Sequence, residues 1–390
     1  MSIISKFRDL FTGNLVAQVV PILFAPVLLS LYNLESFASL GLFLAVVNIL
    51  SLISVAKLDV ASFVVSPPHQ YTTSFISINS VITGVLASII VIILRLDIVE
   101  LAIIPTTFLI SSYRYYYGLK NSEGNTQKMA QVKVVRQVSI VIIQILMYSF
   151  ENGLIFGILI GEFISYITVV KLEPIYISKK KYLEVYTMNK QYVKYSVFAD
   201  LFNNVALYIP IFYFEYIQST MMLGAFTVLN RYIIGPISLL SGVFSEIFRS
   251  SLFDRNNKVN IGLDIRWFLI LAIICLLILL TSMALRDFVF MYYLRMDIDV
   301  WYLAYIFMVG IGLIRFLVSP FTHYYFVLKK NNYDLIWQLI NLIIVLNIMF
   351  VFSNRFSSIW MALFSSVFIG YTINVIFIIR LLYNGRSNFS

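Results

Sequence analysis

An all-α integral membrane protein with about twelve transmembrane helices is the fold class this sequence predicts, and three observations predict it. The chain is 60% hydrophobic, with a mean hydropathy of +0.89. Charged residues make up 12% of its 390 residues, against roughly 25% in a soluble domain, which excludes a water-soluble fold. Apolar stretches of about 20 residues recur along the whole length. Each can cross hydrocarbon, where every backbone N–H and C=O must pair within the segment.

The first span, Thr12 to Tyr32, follows Lys6 and Arg8 with no small-residue cleavage site after it, so it reads as an uncleaved helix. Phe37 to Ala56 comes next, after the short connection Asn33 to Ser36. Thr72 to Leu94, Val99 to Tyr117, Met129 to Phe150 and Gly153 to Val170 complete the first six, the last two separated only by Glu151 and Asn152. The second six run Tyr195 to Phe214, Met221 to Leu240, Trp267 to Leu285, Val300 to Ser319, Leu335 to Phe352 and Ser357 to Ile379.

Charge placement fixes the orientation. With the N-terminus inside, the alternate connections together with the span ends beside them collect 22 of the 28 Lys and Arg residues. Arg95, Arg286, Arg295 and Arg355 fall on the opposite side, and Arg231 and Arg315 lie inside spans. An odd number of spans scrambles this asymmetry, so both termini are expected on the cytoplasmic side. The formal charge of +9 is thereby assigned to topology, and no nucleic acid is expected as a partner.

Leu172 to Lys194 is the longest and most basic inward segment. It divides the chain into an N-terminal six-helix lobe (1–180), a basic cytoplasmic linker (181–194) and a C-terminal six-helix lobe (195–390). Lys179, Lys180 and Lys181 read as a topology determinant at an anionic leaflet, with a partner-docking site as the alternative. Leu40-Gly41-Leu42-Phe43 reappears 183 residues on as Leu223-Gly224-Ala225-Phe226, which fits a parallel duplication.

Ionisable residues at membrane depth cost several kcal/mol and are functional-site hypotheses. Arg231 lies mid-span, and the spacing Gly224, Arg231, Gly235, Ser238, Gly242, Ser245 places it on one small, polar helical face. Its alternative is an ion pair with Asp200 or Glu162 that locks two helices. Arg315, in the cytoplasmic half of its span beside Gly312, Ser319 and His323, is a second cationic candidate, or else snorkels to the headgroups. Asp200, Asn203 and Asn204 form a stripe ahead of Pro210, which permits a bend. Asn14 and Gln18 share a face in the first span, as do Asn48, Ser51, Val55 and Asp59 in the second; Glu162, Arg136 and Gln144 extend the pattern. Such stripes hydrogen-bond sugars or bind helix to helix.

Other chemistries lack their residues. One cysteine, Cys275, and two histidines, His69 and His323, supply neither a disulfide framework nor a zinc site of usual ligand count. No metal or cofactor is expected. An enzyme of glycosyl transfer, polymerase or ligase, needs a sizeable external loop, and the longest, Arg286 to Asp299, is short for that.

The run from Leu223, LGAFTVLNRYIIGPISLLSGVFSEIFRSSL, resembles the eighth-helix signature of bacterial oligosaccharide-lipid flippases, through Gly224, Phe226, Arg231, Pro236, Val243 and Phe244. The opening, from Gly13 through LLSLYNLESFASLGLF to Ala56-Lys57-Leu58-Asp59, is similar to that family's first two helices, with Leu58 in place of the aromatic residue of a basic-aromatic-acidic triplet.

The resemblance implies a Wzx-type O-antigen repeat-unit flippase of the multidrug/oligosaccharidyl-lipid/polysaccharide exporter superfamily, with two six-helix lobes around a central cavity. It implies movement of an undecaprenyl-diphosphate-linked oligosaccharide across the bacterial inner membrane for lipopolysaccharide, with a polysaccharide polymerase and a chain-length regulator as partners. Guanidinium offers a permanent charge and a bidentate fork for diphosphate oxygens. The expected substrate contacts are Arg231, Arg315, Asn14, Gln18, Asn48, Lys57, Asn203 and Asn204, and the expected ion-coupling acids are Asp200, Glu162 and Asp59. A cation-coupled multidrug exporter is the alternative within transport.

Overall fold

The computed structural model describes residues 19–56, 58, 69–93, 101–123, 125–170, 178–188, 195–253, 261–294, 296–327, 330–351, 353 and 358–386. Of the expected site residues, Asn14, Gln18, Lys57 and Asp59 lie outside them. Among the described residues the regular structure is entirely helical. Nine helices there are long and apolar enough to cross a membrane. Three further helices, α1 (Val19–Leu31), α3 (His69–Ile93) and α4 (Ile103–Ser122), coincide with the remaining expected spans. The protein is a multi-pass membrane protein.

In order, α2 spans Leu34–Val55, α5 Thr126–Leu146 and α6 Gly153–Ser165, which runs on as a π turn, Tyr166–Val170. A short helix, α7 (Lys179–Met188), precedes α8 (Val197–Tyr216). Next, α9 (Thr220–Leu229) passes through a π turn (Asn230–Ile234) into α10 (Gly235–Phe253). After α11 (Ile261–Ala284) comes α12 (Ile298–Val318), prolonged to Val327, then α13 (Asn331–Leu346) and α14 (Ile359–Arg386).

Local sequence accounts for several of these starts and stops. Asn33 opens α2 by accepting from the Ser36 N–H at 2.9 Å, and Asn125 opens α5 by accepting from Lys128 at 3.1 Å. Close helix packing comes from small residues. Gly153, Gly157 and Gly161 stand one above another on α6, and a Cβ on Gly161 would come within 2.6 Å of the Ile140 Cα on α5. The two backbones therefore touch directly, as small-xxx-small spacing allows between membrane helices.

The helices divide into two compact units, Met1–Ile211 with Gln218–Ala225, and Phe212–Ile217 with Phe226–Ser390. In the first, α2, α4 and α3 pack together and α5 pairs with α6. The basic segment expected as a linker contains α7, whose Val185 is buried among Ala56, Leu58, Phe75, Ile76 and Tyr115. In the second, α12 packs against α14, α10 and α11, and Phe248, Tyr324, Tyr325, Ile378 and Leu381 form one core cluster. The α11 helix turns Phe268, Leu269, Ile273, Leu276, Leu277 and Leu280 outward, as a lipid-facing span does.

Candidate functional site

Five charged side chains lie eight or more residues from both ends of their spans among the described residues: Arg114, Arg136, Arg231, Arg315 and Glu162. Four are guanidinium groups and one is a carboxylate, so the described interior is net positive. Each is held differently.

In the first unit, Arg114 of α4 donates from Nη2 to the Asn48 Oδ1 of α2 at 2.9 Å. Asn48 in turn donates to the Leu44 carbonyl at 2.8 Å, so the amide is oriented from both sides. Position alone puts Arg114 near an inward connection; the structure makes it the partner of a predicted substrate contact. Nearby, Ser54 and Thr83 share a 2.7 Å hydrogen bond, and Ser111 donates to the Ser51 carbonyl at 3.4 Å. The expected α2 stripe of Asn48 and Ser51 is thus turned towards neighbouring helices.

Glu162, expected as an ion-coupling acid, is 2% exposed and bonded to Arg136 of α5. Arg136 Nε donates to Glu162 Oε1 at 2.6 Å, Nη2 reaches the same oxygen, and the guanidinium lies 4.2 Å over the Tyr113 ring. Lys133, one turn earlier, sits 4.3 Å over Tyr117. The acid lies on α6 beside α5, and Arg136 occupies it. Gln144 is also committed, donating to the Leu154 carbonyl at 3.0 Å. At the start of α8, Asn204 donates to the Asp200 carbonyl at 2.9 Å, and Asn203 is half-buried.

In the second unit, Arg231 stands in the π turn between α9 and α10, half-buried, 5.5 Å over the Tyr232 ring. Pro236 explains the turn. It has no N–H to donate, and its ring collides with the carbonyl four residues back, so the Gly235 N–H bonds the Asn230 carbonyl and the ladder loosens around Arg231.

The loosening corrects the single polar face expected from a 3.6-residue period. Gly224 is sealed against the Leu34 carbonyl in the first unit, and Ser245 is buried beside Ser319, Oγ to Oγ 3.5 Å. Between them Ser238 and Gly242 are exposed, with open space where a Gly242 Cβ would stand. An extra residue in the turn rotates the rest of the helix by about 100°, so the stripe is broken in two.

Arg315 is half-buried on α12, with its positive charge beside the Tyr371 phenol of α14. Gly312 beside it faces Ile237 of α10, 2.9 Å from a Cβ built there. The turn holding Arg231 also packs on α12, so both predicted arginines belong to the same helix group.

Sequence reasoning missed a buried amide cluster between α13 and α14. Asp334, Gln338 and Asn341 follow one stripe of α13, with Gln338 Nε2 3.5 Å from Asp334 Oδ1. Asn341 presses on Gly370, whose carbonyl accepts from Trp337 Nε1 at 3.0 Å, and Tyr325 donates to Asn374 Oδ1 at 2.8 Å. The spacing of 334, 338 and 341 was the available signal.

No family model matches the chain, and no curated protein matches it. Solved structures do. The lipid II flippase MurJ in an inward closed conformation aligns with a TM-score of 0.71 at 13% identity, over 97% of this chain and 87% of that one. A MATE protein in complex with MaL6 aligns with a TM-score of 0.69 at 12% identity, over 99% and 98%. A transporter of the MOP superfamily from Pyrococcus furiosus, described as having a binding pocket of reverse polarity, aligns with a TM-score of 0.63 at 10% identity, over 99% and 97%. The fold is therefore the two-lobe transporter fold that these proteins share.

Proposed function

We propose that the protein flips undecaprenyl-diphosphate-linked oligosaccharide repeat units from the cytoplasmic to the periplasmic face of the inner membrane, for O-antigen or a related surface polysaccharide. The observation that carries this reading is the charge of the span interiors, four arginines against one glutamate among the described residues. A cargo with a diphosphate head needs fixed positive charge to leave the headgroup region, and arginine keeps its proton in a poorly solvated site. The likeness in fold to a lipid II flippase supports the same class of cargo.

In this reading Arg231 and Arg315 receive the diphosphate from the second unit. The loosened turn under Arg231 lets its guanidinium follow the head as it moves. Arg114, oriented by Asn48, adds positive charge in the first unit, while Asn203 and Asn204 offer amides to sugar hydroxyls. The prenyl chain stays in lipid, and alternation of the lobes carries the head across. The second reading is a cation-coupled multidrug exporter, and a multidrug resistance MATE family transporter shares the fold. Its cargo calls for acids in the interior, which arginines here outnumber.

Complementation tests the proposal. In a strain lacking its O-antigen flippase, the wild-type chain restores surface polysaccharide, and Arg231→Ala reduces the yield about 10- to 100-fold, the loss of one charged hydrogen-bonding contact. Arg231→Lys gives an intermediate level, because the charge remains and the bidentate fork does not. Full output from Arg231→Ala, in protein that reaches the membrane normally, overturns the assignment.

A further inference from the structure

The basic helix α7 is anchored by one face only. Tyr182 stacks on Phe75 of α3 with ring centroids 4.6 Å apart, and its hydroxyl donates to Asn79 Oδ1 at 3.3 Å. The Ser178 N–H donates to the Ser74 hydroxyl at 3.2 Å, and Val185 is fully buried against the ends of α2, α3 and α4. These contacts set the helix beside the first turns of an apolar span, at the depth where hydrocarbon gives way to headgroups.

At 100° per residue, the face turned away from these contacts carries Lys179, Lys180, Leu183, Glu184, Tyr186 and Thr187, all exposed except the half-buried Glu184. Leu183 is 49% and Tyr186 37% exposed. Two apolar side chains are thus flanked by two ammonium groups on a helix already pinned from behind. That is the composition of an interfacial amphipathic helix: apolar groups for the acyl boundary, lysines for the anions above it. A helix left purely to solvent has no use for the apolar pair, and one docked to protein alone has no use for the lysines.

We propose that the outer face of α7 docks anionic phospholipid headgroups of the leaflet on the protein's basic side, with Lys179 and Lys180 contacting phosphate and Leu183 and Tyr186 reaching the acyl boundary. The occupant is the bulk anionic lipid, chosen by charge complementarity and depth, and the inference stands apart from the identity of the transported cargo. The docked helix then couples lipid charge to the ends of α2, α3 and α4, on which Val185 sits.

The test uses the full chain in nanodiscs, with Cys275→Ala and Thr187→Cys carrying a nitroxide on the outer face. In phosphatidylcholine mixed with phosphatidylglycerol, collisions of the label with an aqueous nickel chelate fall severalfold relative to phosphatidylcholine alone. In Lys179→Gln or Lys180→Gln, the phosphatidylglycerol fraction giving half of this protection rises about five-fold, equivalent to ~1 kcal/mol per basic side chain at a membrane surface. Lys179→Arg with Lys180→Arg retains the wild-type response. Equal accessibility in the two lipid compositions overturns the proposal, as does protection that survives removal of both lysines. Protection that appears only when undecaprenyl diphosphate is added to phosphatidylcholine discs also overturns it, because the face then belongs to the cargo. The first comparison needs no lysine variant, so a folding defect in one leaves the test intact.

Discussion

Arg136 and Glu162 close an ion pair between α5 and α6, the Arg136 Nε donating to Glu162 Oε1 at 2.6 Å, with the acid almost fully buried. The pair lies ten residues into α5 and nine into α6, where water cannot compensate either charge. Removing one partner should therefore cost far more than removing both. Glu162→Gln is expected to destabilise the protein by about 3–5 kcal/mol, whereas Arg136→Met with Glu162→Leu returns close to wild-type stability. Thermal unfolding in detergent reads the difference. The double variant also bears on the ion-coupling role: if it folds and transports, Glu162 carries no coupled ion, and if it folds and fails, the Arg136–Glu162 pair belongs to the transport cycle.

Asn48 and Arg114 separate stability from function. Asn48→Ala removes the only side-chain acceptor that Asn48 offers the guanidinium, at a cost of about 1.5–3 kcal/mol for a hydrogen bond to a charged group. Asn48→Asp strengthens the bond and cancels one positive charge in the interior. The expected result is an unchanged or raised melting temperature together with reduced surface polysaccharide. A fall in both would assign the asparagine a structural role alone.

Pro236 offers a reverse experiment on the loosened turn. Pro236→Ala restores an N–H and removes the ring clash, so the ladder can close to the α-helical pattern. Stability is expected to rise by ~1 kcal/mol, while Arg231 turns by about 100° around the helix axis and transport falls. Hydrogen exchange over residues 230–236 reports the closure independently of transport.

The anchoring of α7 should depend on alkaline pH. Burial raises the Tyr182 phenol above its ordinary value of 10.0, and the neighbouring Tyr186 pushes in the same direction. A group whose pKa is raised on docking contributes fully below the undocked value and loses its contribution as pH climbs through the docked one. The helix is therefore expected to stay in place at neutral pH and to release above about pH 10, seen as rising mobility of a label at Thr187. Tyr182→Phe keeps the stack on Phe75, abolishes the phenolate and should remove the alkaline transition.

Helix positions were legible in the sequence because hydrocarbon imposes one length and one composition on every span. From Val19 onwards each expected segment has its helix in the structure. Helix rotation was not legible. The bond from Arg114 to Asn48 joins residues 66 apart, and its existence depends on how α2 and α4 turn towards each other, which hydropathy does not encode. The broken face around Arg231 has a local cause, Pro236, yet a strict 3.6-residue count passes over it. The stretch around Lys179 looked like connecting chain because lysines dominate its composition, while the two residues that anchor it, Tyr182 and Val185, signal docking only once α3 is in place. The amides of α13 were hidden for the opposite reason: in a strongly apolar span, Gln338 and Asn341 read as isolated polar interruptions until Gly370 and Trp337 are seen beside them.

In the proposed transport cycle, the stacked glycines of α6 bear on how the helices can move. With Gly157 and Gly161 pressed onto the α5 backbone, neither helix can slip lengthwise or roll without a collision of main chains. The hairpin must tilt as a single plank, and the bending that any rocking cycle demands is pushed to its lower end, into the wider coil at Tyr166–Val170.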